Sequence, residues 1–160
     1  MYCLGISSRV SLKGKKKHIL MMDMDNCNVT RAVDISTKMM AKNRLSDIYI
    51  IESSKGKIHL ICLDKFQWEE LMKIIIPFSD ANWIKYRSKS KQLVLRISPK
   101  EEKGEKPKLL YIVKGLRKKV KSNAHRMILE KLYNIEIPKD EKYDDNSELR
   151  LHIYETGGKG

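Results

Sequence analysis

Cysteine is scarce in this chain, and Cys3, Cys27 and Cys62 are odd in number and widely spaced. No CxxC or similar pair is present, which excludes a zinc knuckle and a thiol redox motif and points to reduced, cytoplasmic thiols. His18, His59, His125 and His152 are equally scattered, so a metal site would have to use carboxylates and a hard cation. No apolar run approaches the roughly 20 residues that span a bilayer, so no membrane partner is expected. The basic run Lys13 to Lys17 follows the weakly apolar start instead of preceding an apolar stretch, which is the wrong order for an export signal. No internal repeat is visible. Acidic residues are also in short supply, 20 against 33 Lys and Arg, leaving a formal charge of +13.

That charge favours polyanions, because lysines that replace counterions around phosphates release them to solvent. The chain of 160 residues is long enough to bury one core and too short for two ordinary domains, so residues 1–160 are read as a single domain.

His18 to Asp25 (HILMMDMD) is an apolar run ending in acids, as in a strand buried on both faces until it reaches a sheet edge. Asn26 to Thr30 reads as a turn, followed by a helix towards Arg44 with Ala32, Ile35, Met39 and Met40 on one side. DIYIIE (47–52) and IHLICL (58–63) form a hairpin across Ser53 to Lys57. Asp64 and Gln67 read as a capping-box variant before a helix carrying Trp68, Leu71, Met72, Ile75 and Ile76, which Pro77 ends.

Trp83 to Arg87 and Leu93 to Ser98 can pair as a further hairpin, giving the order β, α, β, β, α, β with an extra strand. The fold class is therefore α+β, an RRM-like mixed or antiparallel sheet packed against helices. The charged segment 99–108 (PKEEKGEKPK) is an exposed loop or linker between a core of residues 18–100 and a carboxy-terminal extension, 109–160. In that extension Leu109 to Val113 reads as a strand. Leu116, Val120, Ala124, Met127, Ile128 and Leu132 make the stripe of a long basic helix, and Leu149, Leu151 and Ile153 alternate as in a last strand.

Asp23 and Asp25 are two apart on a strand, so both carboxylates project from one face and repel. A divalent cation relieves that repulsion, and magnesium accepts one or two carboxylates together with phosphate oxygens and water. His59 opens a strand just after Ser53, Ser54, Lys55, Gly56 and Lys57, a mixture of hydroxyls, flexible backbone and positive charge that suits a triphosphate. The same residues also suit an ordinary hairpin turn. Arg117, Lys118, Lys119, Lys121 and Arg126 can track a phosphate backbone from one helix, and Tyr49, Trp83 or Tyr86 can stack on bases.

The order of these signals, ILMMDMD, then a helix, a strand and SSKGKIHLI, resembles the hhhDhD and sxH strands of the archaeo-eukaryotic primase superfamily. FSDANWIKYR followed by LVLRIS is similar to that family's third, acidic motif. The resemblance covers roughly residues 18–100. It implies an RRM-like catalytic core in which Asp23, Asp25 and Asp80 hold magnesium or manganese. It also implies that His59, beside the Ser54, Lys55 and Lys57 of the loop already read as suiting a triphosphate, contacts the incoming nucleotide's phosphates, and that Arg96 or a neighbouring lysine helps to neutralise them. Nucleoside triphosphates, single-stranded or primed nucleic acid and replication accessory proteins are the partners it implies. Lys57 stands where the family usually has a small residue.

Two other classes remain open. One is a non-catalytic RRM-like module or degenerate primase fold that only binds nucleic acid. The other is a haloacid-dehalogenase-like phosphatase, which also begins with an apolar strand and DxD, but Asn26 and Cys27 follow here and Thr30 comes late.

Overall fold

The apolar run that ends in acids lies in the longest strand of its sheet, buried through its middle and exposed where the acids emerge. The computed structural model describes residues 2–79, 91–96, 107–116, 119–137, 142–145, 147–149 and 151–155. Strands β1 (Tyr2–Ser7) and β2 (Arg9–Leu12) precede β3 (Lys15–Asp25), which starts earlier than its apolar stretch. The basic run at its start belongs to a two-residue hairpin: Leu12 pairs with Lys15, and Lys13 and Gly14 both take positive φ. Ile19 to Met22 are buried, as two-sided packing of the strand requires.

Helix α1 (Val29–Asn43) begins where the Asn28 side chain accepts a hydrogen bond from the Arg31 N–H, and ends at Arg44 in the left-handed region. Strands β4 (Ile48–Ser54) and β5 (Lys57–Phe66) form the expected hairpin, turning at Gly56 with φ of 76°. Helix α2 (Trp68–Ile75) follows, with Glu69 and Glu70 in its first turn, where the helix dipole favours acids. The capping box is corrected: Gln67 makes no side-chain cap bond, and Asp64 is a buried β5 residue accepting from the Ser46 N–H at 2.9 Å. A β-bulge opposite Ile19 and Leu20 lets β5 run on to Phe66, so Asp64 is spent inside the sheet.

The main sheet has the order β2-β3-β5-β4-β7, every neighbouring pair antiparallel, with β7 (Lys108–Val113) at its edge. The chain passes from β3 through α1 to β4 and returns by β5 between them, the α+β arrangement of an RRM-like sheet. β7, from the carboxy-terminal extension, thus belongs to the same sheet as the core.

β6 (Val94–Arg96) pairs with β1 in a second sheet, order β6-β1-β8, where β8 is Leu151–Glu155. Ser8 divides the first strand between the two sheets: its N–H donates to the Leu93 carbonyl, and its own carbonyl accepts from Ile19 N–H. The proposed partner of that segment, Trp83 to Arg87, and most of the 99–108 linker lie outside the described residues.

The long basic helix is shorter than its stripe suggested. α3 is Asn123–Leu132, capped by Ser122, while Lys121 is held in extended pairing with Asp64 and Tyr143. Leu116 and Val120 are exposed rather than on a buried helical face. Ahead of them Gly115 packs on the backbone of Leu45 and Ser46, and its N–H donates to Asp47 at 2.8 Å. A Cβ here would run into the Leu45 carbonyl oxygen and the Ser46 backbone. Gly115→Ala should therefore cost about 3 kcal/mol or more, read as a lower urea midpoint with unchanged slope.

Candidate nucleotide and metal site

Antiparallel register sets the site. β3 and β5 place Asp23 directly across from His59 and Asp25 directly across from Lys57. Residues facing each other across a ladder share a sheet face, so all four side chains start from the same side. His59 Nε2 lies 3.6 Å from Asp23 Oδ1, and Lys57 Nζ lies 3.8 Å from Asp25 Oδ1. The side chains of Asp23 and Asp25 are 41% and 68% exposed, whereas that of His59 is 4% exposed, so solvent-open acids sit beside a sunken imidazole.

His59 Nδ1 bonds the Tyr133 hydroxyl at 2.9 Å, with the two rings edge to face. Burial lowers the pKa of His59 to about 4, overcoming the opposing pull of Asp25, while Lys57 acts in the same direction as burial. The ring is neutral at pH 7. Burial also pushes the Tyr133 hydroxyl well above its ordinary range, with Asp23 adding to the effect, so it remains an O–H donor.

The Ser/Lys/Gly turn is tied to the same end of the sheet, since Cys27 N–H donates to the Gly56 carbonyl at 3.1 Å. Ser54 is half-buried at the end of β4 and Lys55 is exposed at the tip, so both stand near Lys57. On the other flank a groove of about 700 Å³ borders Asp23 and Asp25, with Met24, Ile35 and Phe78 as apolar wall and Arg31 and Asp34 from α1. Its size suits a nucleotide-sized ligand.

The acid pair fits a hard divalent cation. Two carboxylates on one face, open to water and to an incoming phosphate, are the donors magnesium or manganese accepts. Among the described residues no three His, Cys, Asp or Glu side chains gather into a closed metal site, and Asp80 lies outside them.

The other expected residues divide. Arg96 sits on β6 in the small sheet, where its buried Nε meets no hydrogen-bond partner among the described residues. Arg117 and Lys118 lie outside the described residues. Lys119 Nζ lies 5.4 Å from the centre of the Phe66 ring. Lys121 is buried, its Nζ donating to the Lys119 carbonyl, so it cannot track a phosphate backbone. Arg126 is occupied by Asn123, Glu130 and the Tyr143 ring. The basic track along one helix is therefore corrected: α3 starts after Lys121, Lys121 is buried, and Arg126 is engaged by its neighbours. Tyr49 is fully buried and offers no stacking surface, while Trp83 and Tyr86 lie outside the described residues.

Tyr133 and Arg31 were not legible as site residues. Neither stands in the acid, Ser/Lys/Gly or apolar-stripe patterns that mark the other residues. No family model, curated protein or solved structure matches the chain.

Proposed function

We propose that this chain is a minimal primase-polymerase-like core, a metal-dependent nucleotidyltransferase acting on single-stranded or primed nucleic acid. The observation that carries the reading is the β3–β5 register, which sets Asp23 opposite His59 and Asp25 opposite Lys57 on one sheet face. Acids, imidazole and ammonium group come from two segments that the sequence keeps apart.

Asp23 and Asp25 would hold magnesium or manganese, which when bound neutralises phosphate charge and orients the reacting oxygens. The chain's own groups do the rest. Neutral His59 presents an N–H to a phosphate oxygen, and Lys57 and Lys55 add positive charge beside the turn. Arg31 lies on the opposite flank, and Met24, Ile35 and Phe78 supply an apolar wall for a nucleoside. The excess of basic residues draws the strand in, through a charge of +13.

Incubating the native protein with labelled nucleoside triphosphates on primed and unprimed single strands tests this. Product should form with magnesium or manganese and disappear with a chelator. Absence of product together with salt-sensitive strand binding would support a non-catalytic module instead.

A further inference from the structure

Resting on the nucleotidyltransferase reading, we infer that Tyr133 is a positioning residue, holding His59 in the single tautomer that points its N–H at the acids. The argument is donor and acceptor accounting. The ionised Asp23 carboxylate only accepts, so the ring nitrogen that faces it, Nε2 at 3.6 Å, is the one suited to carry the proton. In a neutral ring Nδ1 is then an acceptor, and it has one partner to satisfy it, the Tyr133 hydroxyl at 2.9 Å.

Tyr133 is fully buried, and its hydroxyl would be costly there without a bond. Its place is fixed from the far end of the chain. The Tyr133 N–H closes the last turn of α3 on the Leu129 carbonyl, and Leu129 is itself buried in the core. The carboxy-terminal extension therefore reaches across 74 residues of sequence to set the imidazole.

The consequence for chemistry is specific. With its proton on Nε2, His59 donates to an oxygen arriving at the acid pair and does not abstract a proton there. Without the Tyr133 hydroxyl, the proton is free to move to Nδ1, leaving a lone pair facing Asp23 and any phosphate beside it. Two acceptors would then face each other, which is unfavourable for binding.

The test uses the full ¹⁵N-labelled chain near neutral pH. Long-range proton–nitrogen correlations report the tautomer of each histidine, and His59→Gln identifies the His59 signals. The native protein should show His59 as the Nε2–H form alone. Tyr133→Phe keeps the ring but removes the hydroxyl; it should mix the two forms while the other histidine signals stay in place. Nucleotide incorporation should fall about tenfold to a hundredfold, mostly through a higher KM for the nucleotide, as for other partners that orient a functional imidazole.

An Nδ1–H form in the native spectrum overturns the inference whether or not the variant folds. So does an unchanged tautomer in Tyr133→Phe, or unchanged incorporation once the forms have mixed. A native protein with the Nε2–H form that joins no nucleotides under any metal defeats the nucleotidyltransferase reading, and Tyr133 is then only a packing partner.

Discussion

Replacing both acids, Asp23→Ala/Asp25→Ala, should abolish nucleotide incorporation, by about a thousandfold or more, while the protein stays folded. On the proposed reading the pair would hold the metal, so its removal withdraws stabilisation that nothing else in the site replaces, and losses of that order follow when one member of a catalytic unit is removed. Stability should scarcely move. Both side chains are substantially exposed, and the exchange relieves repulsion between neighbouring carboxylates, so the effect belongs with surface substitutions of about half a kcal/mol. Primer-extension rates and urea midpoints, measured on the same preparations, separate the two effects. A variant that unfolds would instead assign the acids a structural role.

Acidification should destabilise the protein well before its ordinary carboxylates titrate. His125 is buried, with Nε2 on the Ser7 carbonyl at 2.8 Å and Nδ1 on the Ser122 hydroxyl at 2.7 Å. Burial lowers its pKa from 6.5 to about 4; the Ser7 carbonyl and Asp144 oppose that shift, and His18 adds to it. The folded state therefore holds off a proton that the unfolded chain accepts first. Its contribution is complete above pH 6.5 and is lost progressively as the pH falls to about 4. From His125 alone the loss amounts to about 3 kcal/mol. His18 and His59 are lowered in the same direction, again chiefly by burial. Urea unfolding across this pH range should show a midpoint that drops steeply, and His125→Gln should flatten the slope by about one proton. A flat profile would mean that these rings are not buried neutral.

The elements most legible in the sequence were those whose pattern is local and strong. The run ILMMDMD, the hairpin of DIYIIE and IHLICL, and the helix begun by Trp68 all carry continuous or periodic apolar residues, and each forms as expected. β1 and β2 were missed because they are short and mixed in polarity, and because a single residue, Ser8, hands the chain from one sheet to the other. The basic stretch around Lys121 looked like a solvated helix face. Its backbone is instead held by strand-like pairing to Asp64 and Tyr143, which burial of Lys121 accompanies and no local spacing encodes.

The site follows the same division. The acids and His59 were readable because the strand periodicity fixes which way Asp23 and Asp25 point, and the Ser/Lys/Gly turn marks where β5 begins. That Asp23 stands opposite His59, rather than one step away, depends on the β3–β5 register past the bulge at Ile19 and Leu20. The Tyr133 contact is a single hydroxyl reaching a single ring nitrogen from a distant helix, and nothing around Tyr133 announces it.

The most direct test of the central claim is product accounting on a primed single strand with manganese, comparing native protein with Asp23→Ala/Asp25→Ala. The account predicts one pyrophosphate released for each nucleotide joined by the native protein, and neither product from the variant. Release of orthophosphate without strand growth, or strand growth that survives loss of both acids, would contradict it.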